Sequence, residues 1–499
     1  MKKMILVVAI AAAAGAYGAD HIVVGTTPEL EAAFENIAYN REIRIKEGHY
    51  RPSKTLVPAN SWVTVRGVKD DGETPADRTK VILDGCGERL IINGSTQGNM
   101  VLRDLTISNG CNTATTAGTA TGGGVYLYGA RSVSNCVFAC NRQTGNSGGA
   151  LGVQNTTCEI VDCLFVDNYA KQTGGALYSH SGKPILRRCV FRGNTSSGSG
   201  AAYATLNTGG CSGIYDCWFE SNVSSNGCGA VDSSALNIVS NTTFLLNVAK
   251  VSGPGALKTA RNDHLAVYGC QFLTNSCATY GGAIFMQPDK NNASWCNHLS
   301  VFNSRFEGNS SGSGYYGGAI ACLNNSTQRP KLRALVNSVF IGNTSTIGGA
   351  LYLMGSSSVA NCTFVGNEAT SKGGAVVAND AGIDLGVTNC VFYGNVAPAS
   401  GDIFRNGNDL SVVSHSYAST ASGIPSDQEH ANILGDANPF VGGATVGPVR
   451  PYLGRDAGLE LDWMTPGAKD IAGRPRVWGG IPDMGAYEFK PNGLVIFVR

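Results

Sequence analysis

Apolar and polar positions alternate in short bursts along this chain, and one burst returns ten times as Cys/Ser/Thr-x-Phe-x-x-Asn. Its Phe and Asn positions are Phe138 and Asn141, Phe165 and Asn168, Phe191 and Asn194, Phe219 and Asn222, and Phe244 and Asn247. The series continues with Phe272 and Asn275, Phe306 and Asn309, Phe340 and Asn343, Phe364 and Asn367, and Phe392 and Asn395. Successive Phe residues lie 24 to 34 positions apart. A pattern that returns at such a period marks a stacked-repeat architecture. The stretches between bursts are rich in Gly, Ser, Asn and Thr, with short β-type runs such as Ile185–Phe191 and no sustained helical period. Fixed strands joined by loops of varying length predict an all-β fold, a single-stranded right-handed parallel β-helix with one turn per repeat.

Within the burst, Cys and Phe lie two residues apart and so share one face of a strand. The residue between them includes Trp218, Gln271 and Arg305, which predicts that this position faces outward. Cys (or Ser/Thr) and Phe then stack inward, each buried Phe contributing roughly 1.5–3 kcal/mol. The Asn three residues later suits a tight turn, because Asn tolerates the left-handed region, and stacked Asn amides can also bond along the helix axis. These Phe and Asn residues read as structural.

A second motif precedes most bursts: Gly-Gly-Ala-aliphatic, as at Gly148–Leu151, Gly174–Leu177, Gly281–Ile284, Gly317–Ile320, Gly348–Leu351 and Gly373–Val376. Paired glycines allow positive φ or close backbone approach at a corner. The motif is not a phosphate loop, which needs Gly-Lys-Ser/Thr opening a helix. Gly-Gly-Ala-aliphatic alternating with Phe-x-x-Asn over residues 120–405 resembles the passenger repeats of chlamydial polymorphic outer membrane proteins. That resemblance implies surface display and adhesion. The family ends in a long outer-membrane barrel, for which the residues after the last repeat are too few here.

The flanks predict the remaining organisation. Lys2 and Lys3 precede the apolar run Met4–Ala14 and a small-residue site near Gly18, which predicts a signal peptide over residues 1–18. Residues 19–60 read as an N-terminal cap whose short helix, Pro28–Ala38, aligns Leu30, Ala33, Phe34 and Ile37. The strands Glu42–Gly48, Val63–Gly67 and Val81–Gly85 follow, and this order resembles the start of pectate-lyase-like solenoids. Such a cap covers the otherwise open core of the first coil. The repeats run over 61–410, and residues 411–499 form a C-terminal cap or surface-association segment. Asp483–Glu488 resembles the Asp-x-Gly-Ala-Tyr-Glu hallmark of secreted proteins grouped as choice-of-anchor Q.

Composition narrows the function. Charged residues make up 15% of the chain and the net charge is +1, which argues against nucleic acid as a partner. No stretch after the leader is long and apolar enough for a membrane span. Of the sixteen cysteines, the seven in the burst (Cys136, Cys163, Cys189, Cys217, Cys270, Cys362, Cys390) are expected to form a ladder of buried thiols. The scattered ones (Cys86, Cys111, Cys140, Cys158, Cys211, Cys228, Cys277, Cys296, Cys322) are the better disulfide candidates. No Cys-x-x-Cys pair with a matching partner suggests a metal site. No paired carboxylates, nucleophile triad or Gly-His-Gly stands out. Arg187, Arg188, Lys258, Arg261, Asp263 and His264 form the least bland cluster, and Trp218, Tyr315, Tyr316 and Trp295 are aromatic candidates for glycan contact.

Two readings follow. The first is a secreted or outer-membrane-associated, monomeric, non-enzymatic adhesin or scaffold binding a polysaccharide or a host or cell-surface ligand along its lateral face, without a cofactor. The second is a polysaccharide lyase or glycoside hydrolase, for which calcium would be the cofactor of a lyase.

Overall fold

The computed structural model describes residues 21–490 apart from 96–97, 116–121, 207–211, 235, 260–263, 287–297, 325–329, 381–383, 408–411 and 451–452. The proposed leader, Arg261, Asp263, Trp295, Cys211 and Cys296 lie outside the described residues. A complete coil visits four sheets in turn. Around Phe165 these are Leu151–Gln154 (sheet 1), Glu159–Val161 (sheet 2), Leu164–Val166 (sheet 3) and Tyr169–Ala170 (sheet 4). Among the described residues the sheets contain 12, 15, 15 and 7 strands respectively, and two further strands near residues 344–372 extend the fourth side. Pairing from coil to coil is parallel, as between Leu164–Val166 and Val190–Arg192. The chain is therefore a parallel β-helix. Helix α1 (Thr27–Asn36), started by a Thr26–Glu29 capping box, buries Leu30, Ala33 and Phe34 at the N-terminal end.

The register places identical residues on top of one another. Phe165 pairs with Phe138 and Phe191, and the ten repeat rings form one column. Their centroids are 4.6–5.0 Å apart and their planes lie within 12° of parallel. This is the spacing of adjacent strands, so the backbone ladder sets the stacking distance.

Beside the rings runs a column of buried amides. The Asn168 side-chain N–H donates to the Asn194 side-chain carbonyl (2.9 Å) and to the Phe138 backbone carbonyl (2.9 Å). The same Asn194 oxygen accepts the Asn168 backbone N–H (3.1 Å). Equivalent bonds run from Asn141 to Asn395, where the last amide donates to Asp402 instead (3.1 Å). The left-handed residue of this turn is the one before Asn, as at Asp167 and Gly193, rather than Asn itself. The Asn position is held by amide stacking, not by an unusual φ.

The Cys/Ser/Thr position has a single physical requirement. Cys270 donates its S–H to the Tyr268 carbonyl two residues back (3.3 Å), as Ser304 does with its O–H to Phe302 (2.8 Å). The Ser304 hydroxyl in turn accepts the Cys270 N–H (3.1 Å). A small side chain that both donates and accepts is what the corner needs, since the preceding residue (Asp162, Asp216 or Asn303, for example) is left-handed and interrupts regular pairing. All described cysteines are free, including the scattered ones expected to bridge. Cys158, Cys228, Cys277 and Cys322 are instead buried as small apolar groups, while Cys86 and Cys140 are exposed.

The Gly-Gly-Ala corner admits no side chain. The first glycine takes positive φ (Gly281, 69°), and a Cβ on the second (Gly282) would lie 2.0 Å from the Gly318 carbonyl oxygen of the next coil.

The C-terminal segment lies along the flank of the last coils. It covers the outward side of sheet 3, so Val339, Thr363 and Val391 are buried although Trp218 and Gln271, at the same position in earlier coils, are exposed. The expected outward orientation of this position therefore leads to solvent at Trp218 and Gln271 and to a second layer of protein in the late coils. Asn389 exchanges two hydrogen bonds with the Leu459 backbone (2.6 and 2.7 Å), and Ala486 N–H donates to the Thr363 hydroxyl (2.9 Å). The Asp483–Glu488 motif is the inner knot of this segment. Asp483 accepts backbone N–H groups from Asp456 (2.7 Å) and Phe489 (2.6 Å), and Glu488 from Trp478 (3.0 Å) and Asp483 (3.1 Å). Arg476, almost fully buried, lies 3.8 Å from Glu488.

Two outcomes are expected from this architecture. Asn222→Leu removes an amide that bonds Asn194, Asn247 and the Phe191 carbonyl, and should cost about 1–3 kcal/mol for each buried group left unpaired, measured by denaturant unfolding. The Glu488 carboxyl is pushed up to about 7, chiefly by burial and then by the nearby Asp483 charge. Its folded-state value thus exceeds the ordinary ~4.3, so its contribution is full below that value and is lost as pH rises through about 7. Proteolysis within residues 438–489 should be faster at pH 8 than at pH 5.5, and Glu488→Gln should flatten that difference; equal rates in the native chain would contradict the assignment.

Candidate functional site

The outward row of sheet 1 carries the densest unusual chemistry on the solenoid. Because strand neighbours are in register, alternate residues of Leu177–His180, Val231–Ser233, Leu257–Thr259, Ile284–Met286 and Leu351–Leu353 line up along the rod. The row begins with Tyr126 and Tyr178, turns charged at Asp232 and Lys258, and becomes aromatic again at Phe285, Tyr352 and Phe404.

The charged centre is a small network. Lys258 Nζ lies 3.6 Å from Asp232 Oδ2, and the Ser199 hydroxyl donates to the same carboxylate. Ser199 Oγ also accepts the Cys228 backbone N–H (2.8 Å). The Asp232 charge raises the Lys258 pKa against the opposing effect of burial, so the amine stays protonated and does not serve as a base. Burial pushes the Cys228 thiol well up, and it donates to the Val231 and Ala256 carbonyls, which makes it a packing group rather than a nucleophile.

The aromatic end is broader. Tyr316 stacks on Tyr352 (centroids 4.4 Å, planes 18° apart) and approaches Tyr280 at 5.4 Å. Tyr280 meets Tyr315 edge-on (4.9 Å) and Phe285 face-on (5.5 Å). Tyr352 and Phe285 are buried beneath, whereas Tyr280, Tyr315 and Tyr316 remain half-buried at the surface. Lys372 Nζ sits 4.3 Å from the Phe404 ring centre. The turn between Ser310 and Gly317 carries the Tyr315–Tyr316 pair into this position, above the Gly-Gly-Ala corner.

The described members of the sequence-derived cluster do not come together. Arg187 pairs with Glu159 (3.4 Å) and lies over Tyr215, and Arg188 makes two bonds to Asp162 (2.8 and 2.9 Å), both beside sheet 2. Lys258 is on sheet 1, and His264 contacts Ser300 (2.9 Å) on sheet 2. Trp218 stands apart on the outward side of sheet 3, its indole N–H donating to Glu220 (3.2 Å). Sequence reasoning picked Tyr315 and Tyr316 but missed Tyr280, Tyr352, Asp232 and Ser199. Their alignment depends on a register between residues about 30 positions apart in the chain.

Two other charged clusters lie on the first coils. Arg44, Arg66 and Arg103 stack in register around Glu42, and all three pair with that carboxylate (2.8, 2.8 and 3.3 Å). Near the first coils, Arg51, Asp84, Cys86, Cys140 and Arg142 line a depression in which Asp84 already accepts from Asn109 and Cys86 and contacts His49 (2.9 Å). Among the described residues, no group of three or more His, Cys, Asp or Glu side chains is placed to hold a metal ion, and no helix is long and apolar enough to cross a membrane.

Comparison with known proteins agrees with the scaffold. Residues 361–379 match the Chlamydia polymorphic membrane protein repeat. This stretch holds one Phe-x-x-Asn burst and one Gly-Gly-Ala corner. A probable autotransporter of Escherichia coli, YfaL, is 30% identical over 186 residues, covering 32% of this chain and 14% of that protein. A metabotropic glutamate receptor-like protein R of Dictyostelium discoideum is 25% identical over 244 residues, covering 45% of this chain and again 14% of the relative. The chain thus spans about a seventh of the length of these relatives. The autotransporter and membrane-protein matches fit a cell-surface β-helix protein.

The charged centre of the row makes a direct prediction. Asp232→Ala leaves Lys258 half-buried without its counter-charge and should lower stability by about 1 kcal/mol, read as a shift in the unfolding midpoint. The double change with Lys258→Met should recover most of it.

Proposed function

We propose that this protein is displayed at the bacterial cell surface, by secretion or association with the outer membrane, and acts as a monomeric adhesin or scaffold that holds glycans along sheet 1. The observation that carries the reading is the half-exposed Tyr280–Tyr315–Tyr316 cluster next to the Asp232–Lys258 pair. Aromatic faces suit the apolar faces of sugar rings, with polar groups nearby for their hydroxyls. A rigid rod with its side chains in register presents such contacts at strand spacing, which suits a long polymer better than a small molecule. The solenoid would then supply display and reach, with no chemical step.

The test is retention of the purified chain on immobilised polysaccharides, with and without calcium. Tyr316→Ala and Tyr315→Ala should each weaken retention about three- to tenfold, in line with ~1 kcal/mol for a contacting ring. Appearance of unsaturated or reducing-end products would replace this reading with the lyase or hydrolase alternative.

A further inference from the structure

We propose that the arginine ladder at the start of sheet 2 is an oxyanion site, binding one sulfate or carboxylate group. It lies on another face from the tyrosines of sheet 1 and does not rest on the glycan-binding reading. Arg44, Arg66 and Arg103 hold the same outward position on three adjacent strands, Glu42–Lys46, Thr64–Val68 and Val101–Arg103. Like charges in register at strand spacing repel one another, so the ladder needs negative charge from elsewhere.

The protein supplies too little of it. The neighbouring outward position reads Glu42, Thr64 and Val101, one carboxylate in three rungs. Glu42 therefore serves all three guanidiniums, at 2.8, 2.8 and 3.3 Å. Glu73 (2.6 Å) and the Gly72 carbonyl (3.3 Å) complete the surroundings of Arg44. The shortfall falls on Arg66 and Arg103. Arg66 Nε is close to Glu42 yet not aligned to donate to it, and Arg103 Nε is likewise buried without an acceptor. The Arg66 side chain is only 11% exposed, so water and salt screen its charge weakly. Asp104, beside Arg103, turns into the corner and accepts from Asn135 (2.8 Å).

The opening is at Arg103, whose side chain is 41% exposed. One rung further, Ser132 and Ser134 stand in register with Val101 and Arg103, so hydroxyls and not carboxylates border the guanidinium on that side. A planar guanidinium fork matches two oxygens of a sulfate or carboxylate, and serine hydroxyls donate to the same kind of group. The bound oxyanion adds the missing charge, and Glu42 is its competitor for Arg103.

The experiment follows thermal unfolding of the full chain as sulfate replaces chloride at constant ionic strength, in the millimolar range where the general stabilising effect of sulfate on proteins is small. Sulfate should raise the midpoint. Arg103→Gln, a change at a half-exposed position, should raise the half-saturating concentration about tenfold, the loss of one charged hydrogen-bonding fork. Glu42→Gln should lower it, because the competing carboxylate is gone. A midpoint indifferent to sulfate, or the same sulfate response in the native and Arg103→Gln chains, overturns the site. Retention on dextran sulfate and not on neutral dextran, lost in Arg103→Gln, upholds it with a polymer-borne anion. A sulfate response without such retention upholds it with a free ion. Tyr316→Ala should leave the sulfate response intact, so the sheet 1 reading stands or falls on its own polysaccharide retention.

Discussion

The whole structure depends on one constraint, the strand-to-strand spacing along the solenoid axis. Each coil must place a residue of the same kind over its predecessor at about 4.8 Å, and every interior column obeys it. The Phe rings stack at this distance, the Asn amides bond across it, and the Cys, Ser and Thr side chains link backbone groups through it. The amide column is the most demanding of the three. A buried amide with any group unmet is expensive, whereas a chain of identical amides satisfies itself as long as none is missing. This explains why Asn does not vary over ten coils while the outward neighbour of Phe ranges from Trp to Arg.

The same constraint creates the surface. A register that aligns the interior also aligns the outward rows, so residues from separate repeats meet as if they were neighbours in sequence. The tyrosines of sheet 1 arise in this way, and so does the Asp232–Lys258 pair. Function on such a rod is a matter of which outward positions the repeats leave free to differ. The C-terminal segment adds a second principle. It folds around buried carboxylates that cap its own backbone N–H groups, and then docks on an outward row made apolar by Val339, Thr363 and Val391. A concave groove forms where the segment meets the coils, between Phe302 and Trp463.

Much of this was legible beforehand. The Phe-x-x-Asn and Gly-Gly-Ala periods announced a β-helix, because a residue repeated at every turn can only be explained by stacking. Leu30, Ala33 and Phe34 announced the capping helix by their spacing. The thiol column followed from Cys recurring at one place in the burst. What could not be read was any relation that crosses repeats unevenly. Arg187 and Lys258 looked close as a list of charges, yet they lie on different sheets. The scattered cysteines looked like bridge partners, yet the seven described ones are free and four of them are separately buried. The left-handed corner before Cys went unnoticed because Asn, Asp, Arg and Gly all fill it.

By itself, then, the sequence determined the coil: its interior residues, its corners and its end cap, since these are set by local chemistry repeated at a fixed period. Only the tertiary structure decided which outward residues share a row and where the C-terminal segment docks. It also showed that Asp483 and Glu488 turn inward onto backbone N–H groups. Loop lengths differ from coil to coil, so distance along the chain does not give position around the rod. Docking of a non-repeating segment is set by the shape and polarity of a surface that exists only after the coils have stacked.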